Sequence, residues 1–184
     1  MSKTALILID IQNDYFADGR WPVAEMDAVA ANAALLLARF REAGLPVVHV
    51  RHEMQSASAP FFVAGTPGAE IHPSVAPADG EPVIVKHKAN SFRDTALKET
   101  LDAAGVTDVV ICGAMSQMCI DAGARAAADF GYAVTVASDA CGAKDQVFDG
   151  RTVAAADVHA AIMAPLAMSY GKVLSTETVV AGIG

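Results

Sequence analysis

Clusters of lysine and arginine are missing from this sequence. Thirteen basic residues stand against 21 acidic ones, a formal net charge of −8, and the basic residues gather nowhere into a patch. A polyanion such as nucleic acid, or an anionic membrane surface, would find nothing to grip. Long apolar runs are missing as well, since no stretch nears the roughly 20 residues needed to cross a bilayer. The opening MSKTALILID reaches Asp10 too early for the apolar segment of a signal peptide.

Cysteine is scarce. Cys112, Cys119 and Cys141 are odd in number and irregular in spacing, so they form no disulfide framework, and the expected compartment is a reducing cytoplasm. Aromatic residues make up only 6%, whereas 53% of the chain is hydrophobic. The core is therefore aliphatic, and residues 1–184 are expected to fold as one domain. Glycine is absent from DIQNDYF, the stretch after the first apolar run. A dinucleotide-binding oxidoreductase needs Gly-x-Gly-x-x-Gly at that turn, which sets that reading aside.

What is present is alternation. TALILI (4–9) is a continuous apolar run, as expected of a strand covered on both faces. Residues 24–44 carry Leu and Ala at helical spacing and stop at Gly44. LPVVHV (45–50), PVIVK (82–86), TDVVICG (107–113) and YAVTVAS (132–138) read as further strands, and KVLS (172–175) as a sixth. Helical patterns lie at 94–105, from Cys119 to Gly131, and within 149–171. Strands separated by helices imply right-handed crossovers and a parallel sheet with helices on both faces. Ligands of such sheets bind beyond the carboxyl ends of the strands. Residues 51–80, rich in Pro, Gly, Ala and Ser but holding Phe61 and Phe62, read as a covering or partner-contacting loop.

Three strand ends carry chemistry. Asp10 closes the first apolar run, Lys86 closes the third strand, and Cys119 follows the fourth across GAMSQM. Asp often caps a turn, a terminal Lys often snorkels into water, and a buried inert Cys is common. Together, however, they supply a proton acceptor, a cation and a thiol, the requirement for covalent acyl transfer. A helix opening at Cys119 and a nearby cation would both lower the thiol pKa. Cys112, inside a strand, fits the inert case.

ALILIDIQNDYF, VIVKHKANSFRDTALKETL and VVICGAMSQMCIDAGARAAADFGYAVTVASDA, taken in this order, resemble the isochorismatase-like cysteine hydrolase superfamily over nearly the whole chain. The resemblance implies an α/β fold, a three-layer α/β/α sandwich whose six-stranded, mainly parallel sheet has the order 3-2-1-4-5-6. It implies a triad of Asp10, Lys86 and Cys119, with Phe92 pairing the lysine segment and Lys88 a bystander. It also implies a cis peptide between Ala114 and Met115, and an oxyanion hole from the N–H groups of Met115 and Cys119. Ser116 and Gln117 stand where Thr-Asp is usual. The Asp-x-His pair of metal-dependent nicotinamidases is absent from VRHEMQ, so no metal and no cofactor are expected, and His49, His52, His72, His87 and His159 are read as ordinary hydrogen-bonding residues. Cys119 argues against vinyl-ether cleavage of the isochorismatase kind, and the chain leaves no room for a carrier-protein domain.

The expected activity is hydrolysis of a small amide C–N bond through a thioester, with ammonia or a small amine released. The alternative is a catalytically silent binding or scaffold protein on the same fold. Phe16, Trp21, Phe62 and Gln117 are the candidate pocket residues. A homodimer or homotetramer is expected, from the Ala-rich helices and the Phe-bearing loop.

Overall fold

The strand Thr4–Ile9 (β1) sits at the centre of the molecule because both of its faces are apolar. Alternation sends Leu6 and Leu8 into one core, and Ala5, Ile7 and Ile9 into another on the opposite face of the sheet. A computed structural model describes residues 3–183. The other elements are α1 (Met26–Glu42), β2 (Val47–His52), β3 (Val83–Lys86), α2 (Leu97–Ala103), β4 (Asp108–Ala114), α3 (Asp121–Asp129), β5 (Ala133–Gly142), β6 (Gln146–Phe148), β7 (Arg151–Val153), α4 (Ala155–Ser169), β8 (Gly171–Leu174) and α5 (Thr176–Gly182).

The main sheet runs β3-β2-β1-β4-β5-β8, with every neighbouring pair parallel. This is the expected order, with β8 as sixth strand of the sheet. Ala33, Leu37 and Phe40 of α1 and Val179 of α5 fill the core on the Leu6 face. Leu97 and Leu101 of α2, Ala124 and Ala127 of α3, and Met163 and Leu166 of α4 fill the other. Small alanines on α3 let that helix approach the sheet closely.

Two features lie outside the sequence reading. Strands β6 and β7 pair as an antiparallel hairpin beside the main sheet. Helix α5 is capped by Ser175, whose hydroxyl accepts the Thr178 N–H at 3.2 Å.

The segment 51–80 is sewn down by the residues that follow β1. Asp14 Oδ2 accepts the Phe62 N–H at 2.7 Å, Asn13 Nδ2 donates to the Pro67 carbonyl at 2.7 Å, and Gln12 Nε2 donates to the Ala69 carbonyl at 2.7 Å. Phe62 is fully buried and packs against Tyr15 with the rings tilted and their centroids 4.4 Å apart. Of the loop's two phenylalanines, Phe62 is enclosed and Phe61 is half-buried against Trp21 and Tyr15, which fits a covering loop. The most exposed large apolar side chains among the described residues are Val147 and Phe148 on the hairpin and Met168 of α4.

Candidate active site

Parallel strands end together, and here the ends of β1, β2 and β3 meet the turn after β4. Asp10 follows β1 with φ of 55°, a left-handed conformation in which Asp is among the few side chains tolerated. That backbone turn aims its carboxylate across the sheet edge.

The turn after β4 depends on Gly113, whose φ is 126°. A Cβ there would stand 1.9 Å from the Ile9 carbonyl oxygen, so only glycine lets β4 pass so close to the end of β1. The peptide Ala114–Met115 is cis, at the position the resemblance implied. The Met115 carbonyl then accepts N–H groups from both Met118 (3.0 Å) and Ile120 (3.2 Å), which opens a wide π-type turn over Ser116–Ile120 that runs on into α3. The helical stretch thus starts ahead of Cys119, not at it. No capping side chain marks that start: Met115 stands at the cap position, and the Ser116 hydroxyl turns instead to the Gly142 carbonyl at 3.1 Å.

These segments bring three side chains to one point. Lys86 Nζ lies 2.8 Å from Asp10 Oδ2 and 3.2 Å from Cys119 Sγ. The ammonium also reaches His52 Nδ1 at 3.1 Å and the Lys88 carbonyl at 3.1 Å. Lys88 therefore contributes a backbone oxygen while its side chain stays outside. No backbone N–H reaches either Asp10 oxygen among the described residues, which leaves lone pairs free to take a proton. Asp10 and Lys86 have no exposed surface and Cys119 retains 4%, so the cysteine is the least enclosed of the three.

Electrostatics here run against one expectation. The Cys119 thiol is raised well above its ordinary pKa, first by burial and then by the Asp10 charge, and Lys86 offsets only part of this. The expected low-pKa thiol is thus corrected. A sulfur this deep, beside an existing carboxylate, keeps its proton until something removes it. Burial alone would lower the pKa of Lys86, but Asp10 and Cys119 raise it further, so the ammonium stays charged. Tyr15 is raised by burial and by the same two neighbours, which makes it a neutral wall of the site. Nothing in the sequence singled it out.

Asp10, His52 and Cys119 offer three metal-ligand atoms lying within 4.8 Å of one another. The Lys86 ammonium stands among them, in contact with all three. The donor set already encloses a cation, so a metal ion fits only by displacing the lysine.

The candidate pocket residues are scattered around this centre. Gln117 Nε2 donates to the Lys144 carbonyl at 3.3 Å, and its Oε1 is buried without a partner. Lys144 Nζ lies 5.3 Å from the centre of the Trp21 ring, whose Nε1 is likewise buried and unpartnered. Phe61 packs 5.0 Å from Trp21. Phe62 lies behind His52, with ring centroids 6.3 Å apart. Phe16 stacks on His72 at 3.7 Å and lines a separate groove with Asp18 and Arg20. A groove of about 550 Å³ between α1 and α5, lined by Leu35, Arg39 and Val180, also shares nothing with the Asp10–Lys86–Cys119 cluster. Of the histidines, His49 pairs with Glu81 at 2.8 Å, His72 with Ser74 at 2.8 Å and His159 with Ser116 at 2.8 Å, while His87 contacts the Glu53 carbonyl at 2.7 Å.

Comparison with known proteins accounts for this arrangement. The family model described as Isochorismatase domain matches residues 4–178. A solved isochorismatase-family structure from Oleispira antarctica superposes with a TM-score of 0.95 at 53% identity, covering 98% of this chain and 97% of that one. The uncharacterised isochorismatase family protein YddQ of Bacillus subtilis is 47% identical over 95% of this chain and 97% of its own length. A streptothricin hydrolase of Streptomyces noursei is 40% identical over 74% of this chain, which spans 48% of that protein. With its six-stranded parallel sheet and its Asp10–Lys86–Cys119 cluster at the strand ends, the chain belongs to the isochorismatase family of hydrolases.

Proposed function

We propose that the chain hydrolyses a small amide at its C–N bond, with Cys119 as nucleophile, Asp10 as proton carrier and Lys86 as electrostatic anchor. The observation that carries this is the convergence on one ammonium: Lys86 Nζ at 2.8 Å from Asp10 and 3.2 Å from Cys119, from three segments far apart in sequence.

The raised thiol dictates the order of events. Asp10 takes the Cys119 proton as the sulfur attacks the carbonyl carbon, so the buried ammonium never faces two anions at once. The N–H groups of Met115 and Cys119 receive the charge that develops on the carbonyl oxygen, a donor pair worth roughly 3 kcal/mol per member in comparable sites. Asp10 returns the proton to the leaving nitrogen, and the C–N bond breaks to give a thioester and ammonia or a small amine. A water then gives a proton to Asp10 and its hydroxide to the thioester carbon. The sulfur leaves, recovers its proton from Asp10, and a carboxylic acid is released. A hydrolase among the relatives agrees with hydrolysis as the reaction type. Gln117 and Trp21, each with an unused polar atom and bridged by Lys144, are the side chains from which substrate selectivity arises.

The test is an ammonia-release screen across small amides, ureas and carbamoyl compounds, run with and without chelator. A turned-over compound should lose detectable turnover with Cys119→Ala. Full activity in that variant would sink the mechanism, and strict chelator sensitivity would sink its metal-free form.

A further inference from the structure

We infer that His52 is a positioning residue, which holds the Lys86 ammonium between Asp10 and Cys119 through the lone pair on Nδ1. The inference rests on the nucleophile reading above and adds a fourth side chain to it.

The sheet order makes such a residue necessary. Strand β2 lies between β3 and β1, and neighbouring strands are about 4.8 Å apart. Lys86 on β3 must therefore cross the end of β2 to meet Asp10 beyond β1. The residue paired in register with Lys86 on β2 is His52. Its ring lies beside the crossing ammonium, with Nδ1 at 3.1 Å from Nζ.

The direction of that hydrogen bond fixes the state of the ring. An ammonium only donates. Nδ1 must therefore accept, so the proton sits on Nε2 and the ring is neutral. Burial, followed by the Lys86 charge, holds the imidazole pKa down to about 4, in keeping with a neutral ring. Asp10 pulls the other way, and His87 and Lys88 add to the lowering.

The backbone that carries the ring is fixed from β1, while the ring's Nε2 is buried without a partner. Gln12 is fully buried, and its Oε1 accepts the His52 N–H at 2.8 Å while its Nε2 donates to the His52 carbonyl at 2.9 Å. The residue two places beyond Asp10 thus ties down the backbone of the residue that steadies Lys86.

A neutral acceptor suits this place. Three N–H bonds of the ammonium face four acceptors: Asp10 Oδ2 at 2.8 Å, Lys88 O at 3.1 Å, His52 Nδ1 at 3.1 Å and Cys119 Sγ at 3.2 Å. The thiol sulfur is the weakest of them and becomes a strong one only when its proton leaves. A carboxylate in place of His52 would outbid the sulfur and draw the ammonium away. An apolar group would leave the ammonium free to slide towards Asp10 and Lys88. The imidazole does neither.

The test reads thiol reactivity and needs no substrate. Alkylation of Cys119 by iodoacetamide is followed by peptide mass spectrometry from pH 6 to 10, with circular dichroism melting as a check on folding. The titratable groups facing the sulfur are Asp10, Lys86, His52 and Tyr15, and all but His52 are left intact. In Asn the Oδ1 atom occupies the place of Nδ1, so His52→Asn should stay within threefold of the wild type. His52→Leu should slow alkylation by about tenfold at every pH in that range, the weight of one hydrogen bond to a charged group. His52→Gln, whose amide stands one bond further out, repeats the Leu comparison with a polar side chain and should also be slow. If both Leu and Gln variants match the wild type, or if the folded Asn variant is as slow as they are, the inference fails. If wild-type Cys119 is no more reactive than the buried Cys112, the nucleophile reading fails and this inference with it.

Discussion

Lys86 Nζ lies 2.8 Å from Asp10 Oδ2, and neither side chain has any exposed surface. Each charge is tolerable in the interior only because the other is there. Lys86→Met should therefore destabilise the fold by about 3–5 kcal/mol, because it strands a buried carboxylate. Removing that carboxylate as well, in Asp10→Asn/Lys86→Met, should recover more than half of the loss. Urea unfolding of the three proteins is the measurement. A single Lys86→Met variant as stable as the wild type would show that the pair is not coupled as described.

The ammonium occupies the centre of a three-donor set, and that invites a second substitution. Lys86→Ala empties the centre while leaving Asp10, His52 and Cys119 in place, at 2.8, 3.1 and 3.2 Å from the vacated nitrogen position. Small shifts would bring these atoms to the roughly 2.0–2.3 Å of a zinc-type site. The variant should bind Co²⁺ with a thiolate-to-cobalt absorption band that the wild type lacks and Lys86→Ala/Cys119→Ala abolishes. A band of equal strength in the wild type would mean that the lysine does not guard the site.

Much of this was legible in the sequence, and the exceptions have physical reasons. The unbroken apolar run of Thr4–Ile9 announced a strand covered on both faces, and Asp10, Lys86 and Cys119 stood at strand ends where a parallel sheet collects them. His52 looked like any histidine because its significance comes from sheet order: only when β2 is known to separate β3 from β1 does its position beneath Lys86 appear. The thiol was misjudged because a sequence shows a nearby cation but not the depth of burial. The β6–β7 hairpin did leave a signal. Asp149 and Gly150 both have positive φ, 49° and 71°, and Asp-Gly is the pair that a tight hairpin turn favours.

Away from the site, Glu81 should govern acid stability. It accepts two hydrogen bonds from Arg41, at 2.7 and 2.8 Å, and contacts His49 at 2.8 Å. The Arg41 guanidinium leads in holding its carboxyl down to about 2, against an ordinary 4.5. The folded-state pKa is depressed, so the contribution is complete above pH 4.5 and is lost as pH falls towards 2. His49 is also lowered, chiefly by burial, so protonating it costs stability below its ordinary 6.5. Glu81→Gln should flatten the decline in urea midpoint between pH 4.5 and 2 and lower the plateau above it. An unchanged pH profile in Glu81→Gln would remove Glu81 from this role.

Gly113 offers the strictest check on how the site is built. Its Cβ would fall 1.9 Å from the Ile9 carbonyl oxygen, a backbone atom that cannot swing aside, and its φ of 126° is itself unfavourable for any other residue. Gly113→Ala must therefore push β4 away from β1 at the point where the chain turns towards Cys119. The expected cost is at least about 3 kcal/mol, beyond the ordinary range for a single methyl. Separation of the strand ends would also lengthen the Lys86–Cys119 contact of 3.2 Å, so alkylation of Cys119 should lose its dependence on Lys86 in whatever folded protein remains. Gly44, whose φ is 63° but whose Cβ would meet nothing within 4 Å, is the control. Gly44→Ala carries the backbone penalty without the collision, about 1 kcal/mol or slightly more. Equal destabilisation of the two variants in urea unfolding would show that the close pass at Ile9 is not what requires glycine there.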